Sequence, residues 1–273
     1  MTERRKNGLY LDRRTLLTGA ATGMAVLAAP ALLTRRARAQ AQGMDTSSFA
    51  NAKIDWRQAE GANIGVQEMP WDPMKDYAMM MRNTERFMSL FRSYRPVICK
   101  VHGFAVAGGS DIALCSDIVL MSDDAKIGYM PARVWGCPTT AMWVYRLGPE
   151  KAKRMLLTGD VIDGREAEDM GLIYKAVPAG ELDEQAERIA QRMASVPVNQ
   201  LMMQKLMINQ AYENMGLRTT QMFATLFDGM TRHSPEGLAF KRRAESVGWK
   251  QAVRERDLGT YDYTADKPIN PGG

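Results

Sequence analysis

Apolar residues first fall into a helical rhythm over residues 74–92. Met74, Tyr77, Met81, Met88 and Phe91 share one face there, which predicts a helix. Arg95-Pro96 ends it, because the residue before a proline is pushed out of the α region. Val97-Ile98-Cys99-Lys100-Val101 is short and β-branched and reads as a strand. A glycine-bearing stretch, 103–111, comes next, followed by an apolar helical turn at 112–115. Residues 117–121 read as a second buried strand and 126–130 as a third extended piece. Downstream, the pattern predicts helices over 139–147, 150–158, 165–170 and 182–193. The last is the clearest, with Leu182, Ala186, Ile189 and Met193 spaced four, three and four apart. Residues 173–177 read as a strand that stops at Pro178, and 198–231 as two methionine-rich helices. Residues 40–73 show no sustained period and read as an irregular extension. The tail after Gly259 is polar, contains Pro268 and Pro271, and is expected to be loose. No internal repeat is present.

Composition narrows this picture. A chain of 273 residues, 45% of them apolar, is long enough for one large α/β domain or two small ones. The 21 methionines read first as core fillers and second as an adaptable apolar lining. The formal charge of +5 misleads. Eight basic and two acidic residues lie within 1–40, which leaves 28 basic against 29 acidic in the remainder. A body that is nearly neutral offers no basic patch for nucleic acid. Cys99, Cys115 and Cys137 are odd in number and match no zinc or redox spacing, so they read as buried structural thiols.

Residues 1–39 read as a targeting segment. Arg13-Arg14 precedes an uncharged run from Thr15 to Leu33, and Ala37-Arg38-Ala39 supplies a small-x-small cleavage pattern. The paired arginines before a weakly apolar Gly/Ala/Thr run resemble a twin-arginine export signal. The run is about as long as a minimal membrane-spanning helix, but its Gly, Thr and Pro30 make it weakly apolar, so no stable membrane anchor is expected.

The candidate chemistry lies where the first strand meets a helix. Gly108 and Gly109 let a ligand approach the backbone, and the first N–H groups of a helix have no intrahelical partner. Such groups can hold a developing oxyanion. Close strand–helix packing explains a Gly-Gly pair equally well.

The wider context carries a resemblance. Pro96-Val97-Ile98, then Val101-His102-Gly103-Phe104-Ala105, Gly108-Gly109, Ala113 and Asp117-Ile118 resemble the signature of the crotonase superfamily, the enoyl-CoA hydratases and isomerases. Leu156-Leu157-Thr158-Gly159-Asp160, Ala167 and Gly171-Leu172-Ile173 follow in the family's order. So do His233-Ser234-Pro235-Glu236-Gly237, Phe240 and Lys241-Arg242-Arg243. The resemblance covers roughly residues 68–250.

What the resemblance implies is a ββα spiral core over 74–195, incomplete on its N-terminal side. An α-helical C-terminal region over 196–258 would follow, one that trimerises in the family, giving a homo-trimer or hexamer. The substrate class is an acyl-CoA thioester. Gly108 would supply one oxyanion N–H beside Ala107 and Gly109, and Asp111 would stand for the first family glutamate, one methylene shorter. The second glutamate maps onto Ala132 or Arg133, so the two-glutamate hydratase mechanism is not intact. A guanidinium at Arg133 can hold a substrate carboxylate or orient Asp111, but cannot act as an acid or base near neutrality.

Trp135, Thr139 and Thr140 lie where the family places acyl-pocket residues, with plain packing as the competing reading. Lys241 and Arg242 would meet the CoA phosphates, or belong to a solvated face. His102, in place of an asparagine, reads as structural. No metal or redox cofactor is implied, since coenzyme A arrives on the substrate. Family members begin with about sixty residues of strands and helices before this region, the size of a substantial part of a domain. Here the leader occupies that space, and Glu60-Gly61-Ala62-Asn63 is a faint echo of the segment that supplies the other oxyanion N–H. The leader points to periplasmic export, whereas a CoA substrate points to the cytoplasm. Two functions stay open: an acyl-CoA hydratase or isomerase, and a non-catalytic relative that binds acyl groups or only assembles.

Overall fold

A computed structural model describes residues 70–269. The leader, most of the 40–73 extension and the Glu60–Asn63 echo lie outside the described residues. Helix α1 (Pro73–Met88) opens the described fold. Pro73 fits its first position, and the Asp72 carboxylate accepts hydrogen bonds from the N–H groups of Met74 and Lys75.

Two small sheets follow, and the first four strands alternate between them. β1 (Ile98–Val101), β3 (Ile118–Ser122) and β6 (Lys175–Val177) form a parallel sheet in the order β1-β3-β6. Ile98 pairs with Ile118, and Leu120 with Lys175. β2 (Phe104–Val106) and β4 (Lys126–Gly128) pair in parallel in a second sheet, which β5 (Val161–Asp163) closes antiparallel. Between β1 and β2 the chain turns at Gly103, whose φ of +74° suits a residue without a Cβ. Each strand–turn–strand passage thus lays one strand on each sheet, and the next passage stacks beside it. This is the expected spiral.

α2 (Gly108–Leu114) leaves the second sheet and runs back to β3. Its core face joins Leu114, Val119, Met121, Ile127, Trp143 and Met155, all essentially inaccessible to water. The turn into α2 is Ala107, at φ +52° and ψ −123°. A Cβ is disfavoured there, and such a conformation persists only when its surroundings enforce it. The Ala107 N–H donates to Gly128 O, while its carbonyl accepts from the N–H groups of Ser110 and Asp111 and from the Ser110 hydroxyl.

The helical half comprises α3 (Met142–Leu147), α4 (Pro149–Thr158), α5 (Gly164–Asp169), α6 (Leu182–Ala194), α7 (Val198–Asn214), α8 (Leu217–His233), α9 (Pro235–Val247) and α10 (Trp249–Leu258). Several points differ from the sequence reading. The helix expected from 139 begins at Met142, because Pro138 and a left-handed Ala141 (φ +58°) keep 138–141 irregular. β5 is too short to show a period. The tail is a hairpin rather than a loose end: β7 (Tyr261–Asp262) pairs with β8 (Lys267–Pro268), and the Tyr263 hydroxyl donates to Ala252 O. The methionines divide into two groups. Met88, Met121, Met142 and Met155 fill the core, but Met203, Met207, Met215, Met222 and Met230 face outward from the helical half. Cys99 and Cys115 are buried as expected, whereas Cys137 is only half-buried. Among the described residues, no helix is long and apolar enough to cross a membrane.

One buried cation ties α7 to the spiral. Lys205 Nζ donates to Leu90 O, Arg95 O and Asp117 Oδ2 at 2.7–3.2 Å. The same Asp117 oxygen takes the Val97 N–H at the start of β1. Lys205→Met strands a carboxylate and two carbonyls, so it is expected to lower unfolding free energy by about 3 kcal/mol, read from urea denaturation. Ala107→Gly relieves the strained turn and should raise unfolding free energy by about 1 kcal/mol in the same measurement.

Candidate active site

Asp111 sits in the first turn of α2, three residues after Gly108, and is only 3% exposed. Burial removes water from its carboxyl and pushes its pKa up to about 7. The Thr140 hydroxyl, which donates to Asp111 Oδ1, works in the opposite direction, and the negative charge of Asp228 adds to the rise. A carboxyl that exchanges its proton near neutral pH can serve as acid or base. Gly108 is buried and Gly109 partly so, and their N–H groups belong to the opening turn of the helix. The pair and Asp111 thus share the first turn of one helix.

Thr140 is held from several sides. Its Oγ1 accepts the Met142 N–H at 3.4 Å, which leaves the hydroxyl proton for Asp111. Its carbonyl accepts from Gln221 Nε2 of α8 at 3.1 Å. The adjacent Thr139 is buried and takes a 2.7 Å hydrogen bond from the Thr84 hydroxyl of α1. Thr139 thus bonds to α1 rather than to Asp111.

A further set of charges stands behind this segment. Arg232 of α8 makes a two-pronged bond to Asp76 of α1, each arm 2.9 Å, and its Nε reaches Asp228 Oδ2 at 3.1 Å. Asp228 Oδ1 accepts the Cys137 N–H at 3.0 Å, and the Tyr129 hydroxyl donates to Cys137 O at 2.9 Å. All three charged side chains are at most 6% exposed. Burial raises the pKa of Asp228, while Arg232 pulls it down. Burial, with Asp111 and Asp228 behind it, holds the Tyr129 phenol well above its ordinary range. Two glycines make room here. A Cβ on Gly229 would stand 2.2 Å from Asp76 Oδ2, and one on Gly136 would stand 3.3 Å from Asp228 Oδ1.

Other predicted site residues lie elsewhere. Arg133 is exposed, and its Nη1 donates to Thr158 O at 2.8 Å; the hydrogen bond to Asp111 comes from Thr140 instead. The reason is local: Arg133 follows a 3₁₀ turn at Met130–Ala132 and runs over Gly159 and Gly259. Trp135 packs on Phe240 and Trp249 in the C-terminal aromatic cluster, with ring centroids 5.0 and 6.2 Å away. Lys241 is 3.7 Å from Glu245 on its own helix, and Arg242 pairs with Asp266.

Sequence reading missed Asp76, Tyr129, Gln221, Asp228 and Arg232. A signal existed in α8, where Gln221, Thr225, Asp228 and Arg232 recur at helical spacing and all lie buried. Met222, Phe223, Phe227 and Met230 occupy the exposed side. The helix is polar inside and apolar outside, the reverse of the usual pattern.

Comparison with known proteins bears on the family and the fold. Residues 61–251 match the family model described as enoyl-CoA hydratase/isomerase. A putative enoyl-CoA hydratase of Thermus thermophilus is 31% identical over 160 residues, 56% of this chain and 62% of that protein. A crotonyl-CoA hydratase of Syntrophomonas wolfei is 36% identical over 37% of this chain and 40% of its own length. The chain spans about 60% of the length of the first curated relatives it matches. Among solved structures, an enoyl-CoA hydratase of Mycobacterium smegmatis is 48% identical with a TM-score of 0.69, over 72% of this chain and 68% of that one. A putative enoyl-CoA hydratase/isomerase of Novosphingobium aromaticivorans is 30% identical with a TM-score of 0.63, over 68% and 69%. A ββα spiral with a helical C-terminal half, a glycine pair opening α2 and a matched span of this extent make the chain a crotonase-fold member of the enoyl-CoA hydratase/isomerase family.

Proposed function

We propose that the protein acts on an acyl-CoA thioester as a hydratase or isomerase with one working carboxyl. The Gly108 N–H polarises the thioester carbonyl, and Asp111 moves a proton or positions water at the adjacent carbons. The observation that carries this reading is the Asp111 carboxyl: buried, hydrogen-bonded by Thr140, and exchanging its proton near pH 7. No metal or redox cofactor takes part, because proton transfer beside a polarised thioester needs none. A second reading, a non-catalytic relative that binds acyl groups or only assembles, is favoured by one specific observation. At the position of the second family glutamate, Ala132 has no acid–base group and Arg133 is bound to Thr158 O.

Assembly belongs to the same proposal. The outward face of α7 and α8 carries Met203, Leu206, Met207, Ile208, Phe223 and Phe227, each about half exposed. Large apolar side chains exposed together in this way suit a surface that another chain covers. A homo-trimer, or a hexamer of two trimers, would cover it.

The chemistry is tested by incubating the purified protein with short and medium enoyl-CoA thioesters and following loss of the conjugated absorbance. Turnover that falls at least a hundredfold in Asp111→Asn supports the enzyme. A folded protein without turnover supports the non-catalytic relative. The same variant carries a stability signature. Asp111 has a folded pKa near 7 against an ordinary value of 3.8, so the unfolded chain gives up this proton first. Its contribution to stability is therefore complete below about pH 4 and is lost as pH rises through 7. Asp111→Asn escapes that loss. Its gain in unfolding free energy should be on the order of 4 kcal/mol at pH 8 and vanish near pH 4, read from denaturant curves at both pH values. For assembly, sedimentation should report a mass of three or six copies, and Phe227→Glu should lower it.

A further inference from the structure

The segment 137–140 has no regular structure of its own, yet its polar groups are secured one after another. Cys137 is gripped through both of its flanking peptide groups, its N–H by Asp228 Oδ1 and its C=O by the Tyr129 hydroxyl. Asp228 cannot swing away, because Arg232 holds its second oxygen and is itself bound to Asp76 across the α1–α8 seam. Three residues after the gripped peptide, Thr140 points its hydroxyl at Asp111. A hydroxyl on an irregular segment keeps one direction only if the backbone that carries it is fixed.

We propose that Asp228 is a positioning residue for Asp111: by clamping the Cys137 peptide it fixes the 137–140 segment and so aims the Thr140 hydroxyl at the Asp111 carboxyl. Neither Asp228 oxygen is free for substrate, since one is committed to Cys137 and the other to Arg232. The role is therefore indirect, and it lies outside the family positions read from the sequence. Its importance for function rests on the proposed role of Asp111, but its test does not require turnover.

Besides burial, the groups that act on the Asp111 carboxyl are the Thr140 hydroxyl on the loop and the charge of Asp228 of α8, which has Arg232 behind it; Asp111 in turn raises the pKa of Cys115 on its own helix, of Tyr129 after β4 and of Cys137. Loss of the Thr140 hydrogen bond destabilises the Asp111 carboxylate and raises its titration midpoint. Loss of the Asp228 charge lowers it. Asp228→Asn and Asp228→Ala both remove the charge, but only the asparagine keeps an oxygen able to accept the Cys137 N–H. The difference between these two variants therefore isolates the clamp.

The experiment is an infrared titration of the carboxyl C=O band in the full-length protein, with Asp111 assigned by difference against Asp111→Asn. Thr140→Val gives the full effect of losing the hydroxyl, an upward shift on the order of half a pH unit or more. The Asp228→Ala midpoint should lie above that of Asp228→Asn by most of the Thr140→Val effect. Equal midpoints for the two Asp228 variants would overturn the proposal. Should Asp228→Ala fail to fold, Asp228→Leu fills nearly the same space as asparagine with no acceptor for the Cys137 N–H. A midpoint above that of Asp228→Asn supports the clamp there, and an equal midpoint sinks it. A clear difference between the Asp228 variants in a protein without turnover would uphold the clamp and defeat only the catalytic reading of Asp111.

Discussion

A carboxyl group stripped of water within the first turn of a short helix governs much of what surrounds it. Asp111 is buried against a largely apolar spiral core, and desolvation is the largest influence on its proton affinity. An ionised group in such a place costs several kcal/mol unless something donates to it. One hydroxyl, that of Thr140, does so. Pro138, the left-handed Ala141 and the late start of α3 follow as the means of bringing a threonine to that point. A regular helix over 139–147 would send its side chains elsewhere.

The seam between α1 and α8 answers a related difficulty. Two carboxylates and one guanidinium are buried together, and such clusters add little stability compared with apolar packing of the same volume. What they add is a single permitted alignment. The two-pronged Arg232–Asp76 contact tolerates no slip of one helix along the other, and Gly229 shows how closely the helices approach. The same alignment brings Gln221 to Thr140 and Thr84 to Thr139. Specific register is worth its energetic cost where a loop between the helices must stay within hydrogen-bonding tolerance of a reactive carboxyl.

Local physics made the spiral legible. β-Branched runs at 97–101 and 117–121, the glycine pair and the proline breaks are all signals carried within a few residues. Asp111 was singled out through the family resemblance, as the counterpart of the first glutamate. Asp228 and Arg232 were not, because their partners lie at Cys137 and Asp76, far away along the chain. Arg133 shows the converse failure. Position in a motif put it at the site, but side-chain direction after the 3₁₀ turn sends it to Thr158. Trp135 was likewise placed by motif, whereas the aromatic rings of α9 and α10 claim it. The tail misled through composition, since a polar, proline-bearing stretch still closes a hairpin when Tyr263 finds a buried place and a carbonyl.

The reversed pattern of α8 joins these strands of argument. A helix normally hides its apolar stripe and shows its polar one, and a periodicity search therefore assigns Phe223, Phe227 and Met230 to the core. In this fold the inner side is taken by Gln221, Thr225, Asp228 and Arg232, so the apolar stripe is left outside. Apolar area left in water contributes nothing to holding α8 in place, whereas a surface that covered it would add about 25 cal/mol for each Å² buried. Whatever covers the outer side of α8 therefore also steadies its inner side. Because Gln221 and Asp228 hold the Thr140 segment from that inner side, cover over the apolar stripe and order at Asp111 are linked through one helix.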